Sequence, residues 1–267
     1  MLIYGSQHLT TNGVISNTQL NKTNNNYNTN FDTNIDSLVA SSTIIGRKTF
    51  NNLPAITGDT LNLGNLTIER YCPGIPTVTY EGKIYNTVQI GNQCWLKENL
   101  DVGIMIQGTE EMLDNRIIEK YCYDNDPNNC TTYGGLYQWD ETMQYSSGTL
   151  NFQGICPPDW HIPTLAEFNT LIDAVGGDGN ALKAIGQGSG GGGGTNTSGF
   201  SALLAGRRNF LANFASLGDY TSFWSSTELD YPPKLFAWSM DLWNGGSHIF
   251  IYGVTKENGF SVRCLKD

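Results

Sequence analysis

Residues 156–177 read CPPDWHIPTLAEFNTLIDAVGG, and this stretch carries the clearest helix signal in the chain. Thr164 and Glu167 have the spacing of a capping box, in which two side chains satisfy free N–H groups of the first helical turn. Apolar residues then return on one helical face as far as Val175, and Gly176-Gly177 stops the pattern. We therefore predict an amphipathic helix here, followed by a shorter helical piece at about 179–185.

Alternating side chains mark strands on both sides of this helix. Before it, residues 83–90 form a strand-like segment that follows a Glu-Gly turn. After it, apolar residues alternate with small or polar ones over 236–242. Two further strands at 248–252 and 260–265 follow across Gly-containing turns, which predicts a β-meander. A capped helix combined with a meander predicts the α+β class rather than a doubly wound α/β fold.

A glycine-rich run, GSGGGGG at 188–194, invites comparison with phosphate-binding loops. It lacks the Gly-Lys-Ser/Thr ending of such loops and does not lie between a strand and a helix. We therefore predict a flexible surface loop.

Composition narrows the possible partners of the chain. The 267 residues have a net charge of −10, and only 15% of them are charged. Nucleic acids and anionic membrane surfaces bind concentrated positive charge, so both are excluded as partners. No apolar run approaches the length of about 20 residues that crosses a bilayer. We expect an acidic, β-rich chain without a membrane span.

Residues 1–70 differ from residues 71–267, and we predict a domain boundary between them. The first region has no Cys or Trp, and eight of the eighteen residues in 17–34 are Asn. Strand-like pieces at 42–45 and 60–68 flank the Asn-rich part. Two interpretations stay open: a flexible, exposed leader, or a β-prone stalk that pairs with a neighbouring subunit. The first residues lack the features of a signal peptide, so for an exported protein we expect the numbering to begin after a removed leader.

An even number of cysteines in a Lys-poor chain predicts disulfides and an oxidising compartment. Their pairing is open from the sequence alone, because six cysteines allow about fifteen connectivities. Cys122 and Cys130 enclose a short polar loop, and we pair them on that ground. The six are Cys72, Cys94, Cys122, Cys130, Cys156 and Cys264.

Six ordered motifs carry a family resemblance. They are YNTVQIGNQCWLKENL at 85–100, YGGLYQW at 133–139, CPPDWHIPT at 156–164, GFSAL at 199–203, FWSSTE at 223–228 and SVRC at 261–264. In order and spacing they resemble the Fibrobacter succinogenes major paralogous domain family, over about residues 78–267. The resemblance implies a C-type-lectin-like fold, with two helices on a small twisted antiparallel sheet, and display outside the cell. It also implies that Cys156 pairs with Cys264, which leaves Cys72 for Cys94.

Catalysis is weakly supported by these residues. The family is similar to the formylglycine-generating branch of the lectin-like folds, which works through reactive cysteines, but all six cysteines here can be assigned to disulfides. His161 is better explained as a hydrogen-bonded structural residue than as a base. The oxygen-rich stretch at 124–128 lacks EF-hand spacing, so we predict a solvated turn there instead of a calcium site. We expect no enzyme activity, no metal and no cofactor.

Loops at one end of a lectin-like domain would carry the binding surface. Aromatic faces beside amide and carboxylate groups suit a glycan or a protein epitope. The alternative for Trp243 and Tyr252 is that they complete the apolar face of the meander. The predicted ligand-binding residues lie in or beside the loops at 228–234, 244–248 and 254–258: Glu228, Asp230, Tyr231, Trp243, Asn244, His248 and Tyr252.

Three functions follow as hypotheses. The first is a non-enzymatic extracellular protein of the cell surface that binds a ligand or mediates adhesion. The second is a structural subunit of an extracellular fibre or pilus-like filament, assembled through residues 1–70. The third is an enzyme related to the formylglycine-generating branch.

Overall fold

The structure of the chain is a computed structural model that describes residues 71–146, 153–230 and 232–267 and the backbone of five short strands before residue 70. Those five are β1 (Leu2–Ile3), β2 (Leu9–Thr11), β3 (Lys48–Thr49), β4 (Thr60–Leu63) and β5 (Leu66–Glu69). β1 pairs with β3, and β5 lies between β2 and β4, all antiparallel. The strand-like piece predicted at 60–68 therefore corresponds to the β4–β5 pair. The piece at 42–45 and the Asn-rich stretch lie outside the described residues.

The first of two five-stranded sheets has the order β11-β17-β8-β7-β6 and is antiparallel throughout. Its longest strand, β7, is the one predicted at residues 83–90. The bounds are β6 Thr77–Tyr80, β7 Lys83–Ile90, β8 Gln93–Leu96, β11 Trp160–His161 and β17 Leu265–Lys266. Beside this sheet, β9 (Ile104–Ile106) and β10 (Glu119–Tyr121) form a separate parallel pair.

The second sheet has the order β13-β12-β14-β15-β16. It is mixed, because β12 runs parallel to β14 while the other pairs are antiparallel. Its last three strands form a meander, in which β15 and β16 correspond to the predicted strands at 236–242 and 248–252. The predicted third strand at 260–265 is wrong, because only β17 forms there and it belongs to the first sheet. The bounds are β12 Ala205–Arg208, β13 Phe214–Leu217, β14 Tyr220–Glu228, β15 Phe236–Trp243 and β16 Phe250–Thr255.

The described α-helices are short. They are α1 (Pro127–Tyr133), α2 (Trp139–Thr142), α3 (Leu165–Ala174) and α4 (Gly179–Leu182). α3 is the predicted helix, and both hydrogen bonds of the Thr164–Glu167 capping box are present. Asp126 caps α1 by accepting a hydrogen bond from the backbone N–H of Asn128, 2.9 Å away. None of the described helices has the length and apolar character needed to cross a membrane.

The predicted fold class is wrong. The domain is mainly β, with two five-stranded sheets, rather than a C-type-lectin-like arrangement of two helices on one small sheet. The second predicted helix shrinks to the four residues of α4, because Lys183 already has an extended backbone with ψ of 140°. The strands between residues 214 and 255 therefore contribute more of the fold than the ten-residue helix α3 does.

The main core lies between the two sheets and α3. Trp95 of β8 stacks on Phe168 of α3 at 5.9 Å and meets Phe200 edge-on at 5.6 Å. Phe200 in turn contacts Phe223 of β14 at 5.8 Å, which connects the first sheet to the second. A second cluster surrounds Trp224, whose ring lies 4.5 Å from that of Phe260.

All three disulfides were predicted with their correct partners. The bonds join Cys72 to Cys94, Cys122 to Cys130 and Cys156 to Cys264, and no cysteine is free. The last bond spans 108 residues and lies inside the cluster around Trp224.

Candidate ligand-binding face

One face of the second sheet packs on the main core. The opposite face carries polar residues, and at one end it places Trp224 and Ala237 in the second buried cluster. Phe223, Met240 and Leu242 point inward, so strand alternation places Ser222, Ser239 and Asp241 on the opposite side. We call this side the outer face. The residues that form it are Arg207, Tyr220, Ser222, Ser239, Asp241, Phe250 and Tyr252.

Asp241 lies at the centre of the outer face and is only 4% exposed. The hydroxyl of Ser239 donates a hydrogen bond to its Oδ1 at 2.9 Å. Burial raises the pKa of the Asp241 carboxyl to about 6, against the lowering effects of Ser239, Ser222 and the charge of Arg207. A carboxyl that titrates this near neutrality changes its hydrogen-bonding role within a physiological pH range.

Aromatic side chains line the outer edge of this face along β16. The ring of His248 meets that of Phe250 edge-on at 4.5 Å, and the rings of Phe250 and Tyr252 stack at 5.6 Å with an 11° interplanar angle. We call His248, Phe250 and Tyr252 the aromatic strip. Tyr252 is 47% exposed, and β16 is an edge strand, so the strip is accessible to a ligand.

The turn between β15 and β16 is fixed by a buried lysine. The ammonium of Lys183 donates hydrogen bonds to the carbonyls of Trp243 at 2.7 Å, Gly246 at 2.8 Å and Gly192. Burial lowers the pKa of this ammonium. Because carbonyl oxygens from the turn and from the glycine-rich run share one donor, the two segments are held together.

The glycine-rich run is packed at Gly192 but exposed at Ser189, Gly190 and Gly191. The predicted surface position is confirmed for these three residues, and the flexibility of the loop stays a prediction. A Cβ at Gly192 would lie 2.0 Å from the carbonyl oxygen of Asn244, so the close approach requires glycine. The ring of Trp243 folds over the same turn, since a Cβ at Gly245 would lie 2.4 Å from it.

The seven predicted ligand-binding residues do not form one surface. Consecutive hairpin loops lie at opposite ends of an antiparallel meander, so Glu228 and Asp230 are separated from Trp243, Asn244 and His248 by the length of β14. Glu228 accepts a hydrogen bond from Lys256, and Asn244 donates one to Asp219 at 2.5 Å. Tyr231 lies outside the described residues. The structure brings His248 and Tyr252 together, on the aromatic strip.

Sequence reasoning missed the polar residues of the outer face. Arg207, Ser222 and Asp241 lie within strands, whereas the sequence analysis looked for binding residues in loops. One signal was present: Asp241 is the charged residue on the polar side of the alternating segment Phe236–Trp243.

His161 is buried and hydrogen-bonded, as the sequence indicated. Its Nδ1 lies 2.6 Å from Asp267 Oδ1, and its Nε2 lies 3.0 Å from Glu167 Oε1. Burial lowers the pKa of the imidazole, but the two carboxylates outweigh burial and raise it. The residue thereby connects β11 to the first turn of α3.

A cleft of about 390 Å³ lies apart from the outer face, between β7, α1 and the segment at 201–203. Fully buried Arg263 borders it and bonds Asn99 Oδ1 at 3.1 and 2.7 Å, the Leu96 carbonyl at 3.1 Å and the Phe200 carbonyl at 2.6 Å. Burial lowers the pKa of its guanidinium to about 9. These bonds join three chain segments, so Arg263 serves the fold.

Fold and face together define a disulfide-bonded, β-rich domain with a polar and aromatic surface on one sheet. The chain belongs to the Fibrobacter succinogenes major domain family, whose model matches residues 88–266. No curated protein and no solved structure matches the chain.

Proposed function

We propose that this protein is a non-enzymatic extracellular protein of the cell surface, and that it binds a ligand or mediates adhesion through the outer face. The observation that carries the proposal is the aromatic strip on the edge strand β16, whose Tyr252 is 47% exposed and which lies beside the mostly buried Asp241. Stacked rings offer a flat apolar surface at little entropic cost, and neighbouring polar groups orient the ligand. A glycan or a protein epitope has this combination of apolar and polar surface.

Two further observations support the proposal. Three disulfides are typical of proteins that work in oxidising surroundings outside the cytosol. The face also rests on a sheet whose turn is held by Lys183, so the binding groups are positioned before a ligand arrives.

The enzyme hypothesis receives less support. The formylglycine-generating reaction needs a reactive cysteine, and every cysteine of this chain is in a disulfide. The fibre hypothesis depends on residues 1–70, of which only the backbone of the short strands is described. It is therefore kept as an outcome of the experiment.

The experiment compares two single substitutions on the purified chain. Tyr252→Ala removes a ring of the aromatic strip that is 47% exposed, and Ile84→Ala removes a more exposed side chain, 67%, from β7 of the first sheet. Adhesion of protein-coated beads to cells and to a glycan array is measured together with the melting temperature. We expect both variants to melt as the parent does and only Tyr252→Ala to lose binding.

Two outcomes would reject the proposal. One is full adhesion by both Tyr252→Ala and Phe250→Ala. The other is the appearance of ordered filaments of the parent chain in electron micrographs without any ligand binding, which would favour the fibre hypothesis.

A further inference from the structure

The outer face places a cation and a carboxylate in one row across four strands. Gly206 pairs with Thr221 in parallel, so Arg207 lies beside Ser222. Ser222 pairs with Asp241, and Asp241 pairs with Phe250. Residues in one row point to the same face. Arg207, Ser222, Asp241 and Phe250 therefore form a continuous line from β12 to β16.

Hydrogen-bonding capacity remains unused in this row. The Nε of Arg207 is buried and has no hydrogen-bond partner in the described part of the chain. A buried donor without an acceptor costs roughly 1–3 kcal/mol, so a ligand that supplies an oxygen regains that free energy. Asp241 is bonded at Oδ1 by Ser239, and its carboxylate has capacity for further donors.

The opposite charges of the row restrict the chemistry of the ligand. A cationic ligand is repelled by Arg207, and an anionic ligand is repelled by Asp241 and by the net charge of −10. A neutral group that both donates and accepts satisfies the two residues at once, and a pair of hydroxyls does so. The neighbouring aromatic strip matches the apolar C–H face of a sugar ring.

We propose that the outer face binds a neutral sugar, with its hydroxyls bonded to Arg207 and Asp241 and its apolar face on the aromatic strip. This inference rests on the proposed function and names the ligand class for it.

Acid weakens this binding, because protonation of Asp241 replaces a charged acceptor by a neutral carboxyl. The groups that face Asp241 are Arg207 from β12, Tyr220 from β14 and Tyr252 from β16. Burial and the nearby Asp241 charge raise the pKa of Tyr220, so this phenol stays neutral. His248 of the aromatic strip is a second ionisable group of the site, so the Asp241→Asn variant is needed to assign the pH dependence to Asp241.

The test is calorimetric titration of the whole chain with trisaccharides of three charge types. The neutral probes are trimers of glucose, mannose and galactose, the acidic probe is trigalacturonate, and the cationic probe is the trimer of glucosamine. At about pH 7.5 we expect at least one neutral trimer to bind more tightly than both charged trimers. Asp241→Asn and Arg207→Gln should each weaken that binding by about tenfold or more, the difference made by a hydrogen bond to a charged group.

The matched control is Asp173→Asn, which removes an exposed carboxylate from α3 and should leave binding unchanged. The parent affinity should fall between about pH 7.5 and pH 5, and Asp241→Asn should show no such dependence. A purely structural role of Asp241 would not remove the pH profile. Melting temperatures confirm that each variant is folded.

Three outcomes would overturn the inference: preference for a charged trimer, no binding of any neutral trimer, or unchanged affinity and pH profile in Asp241→Asn. If Tyr252→Ala still abolishes adhesion in these cases, the proposed function stands and only the ligand class is wrong. If Tyr252→Ala has no effect either, both proposals fail.

Discussion

The two sheets of this domain are stabilised by different means. In the first sheet, one disulfide holds Cys94 of β8 and another holds Cys264, directly before β17. No strand of the second sheet contains a cysteine. Buried cations bond the loops around it instead, namely Lys183 at the turn after β15 and Arg208 at the end of β12.

Arg208 is an example of stabilisation by a buried cation. It donates to the carbonyls of Gly108 at 2.9 Å and Glu257 at 3.0 Å and to the carboxylate of Glu111 at 2.7 Å. Each buried cation holds several distant backbone segments in fixed geometry. The comparison indicates that disulfides, together with Arg263 at the carbonyl of Leu96, secure the sheet with α3, whereas hydrogen-bonded charges hold the loops around the sheet that carries the outer face.

The largest expected effect concerns the Cys156–Cys264 disulfide, which closes the longest disulfide loop of the chain. In the chain-entropy model the stabilisation grows with loop length, and the bonds span 108 residues for Cys156–Cys264 and 8 for Cys122–Cys130. We expect Cys156→Ala with Cys264→Ala to lower the free energy of unfolding by about 5 kcal/mol, and Cys122→Ala with Cys130→Ala by about 2.5 kcal/mol. Urea unfolding measures both. Equal losses would show that loop length does not govern stability here.

The second prediction tests the buried cation. Lys183→Met keeps much of the side-chain volume but leaves three buried carbonyls without their shared donor. We expect a loss of roughly 3–5 kcal/mol in the free energy of unfolding. Lys234→Met, at a position 59% exposed, is the control and should change little. A tolerated Lys183→Met would mean that the turn after β15 holds its shape without the ammonium.

The third prediction concerns the outer face, where a substitution should raise the free energy of unfolding instead of lowering it. An acid whose folded pKa lies above its unfolded pKa destabilises the fold at any pH above both values. For Asp241 these values are about 6 and 3.8, so Asp241→Asn should raise the free energy of unfolding at about pH 7.5 by up to about 3 kcal/mol. The gain should disappear as the pH falls from 6 to 4. A destabilised variant at neutral pH would show that the carboxylate is needed for packing rather than retained for binding.

Short-range patterns in the sequence predicted the first sheet and α3 better than they predicted the second sheet. The Thr164–Glu167 box, the face of α3 and the strand β7 follow from short-range patterns, and the disulfide partners follow from one short loop and a family resemblance. Each of these features depends on residues close in sequence or on the family resemblance. These are the interactions that sequence reasoning handles well.

The second sheet depends on contacts between residues that are far apart in the sequence. Nothing near Lys183 in the sequence indicates that its ammonium meets Gly192 and Gly246, so the glycine-rich run looked flexible. The row from Arg207 to Phe250 exists only because β12 joins β14 in parallel, a pairing without local signature. The loops were expected to meet at one end, but the meander separates them.

The smallest expected effect is the pH dependence that His161, in the first sheet, contributes to the free energy of unfolding. Burial alone would lower the pKa of its imidazole, but Glu167 and Asp267 raise it above the unfolded value. The stabilisation is therefore complete below about pH 6.5, the unfolded value, and is lost as the pH rises through the folded pKa. This window lies above the window of Asp241, which spans 3.8 to about 6.

Urea unfolding of the parent and His161→Gln at about pH 5.5, 6.5, 7.5 and 8.5 separates the two titrations. We expect the parent to lose about 1 kcal/mol or less relative to His161→Gln over the upper part of this range, because the carboxylates of Glu167 and Asp267 are 31% and 46% exposed and are screened by water. Added salt should reduce the difference, since exposed ion pairs are weakened by ions. Asp241→Asn should leave the upper window unchanged, because Asp241 lies on the other sheet. If the upper window persists in His161→Gln, the titrating group is elsewhere, and the assignment of neutral-pH stability to the first sheet is wrong.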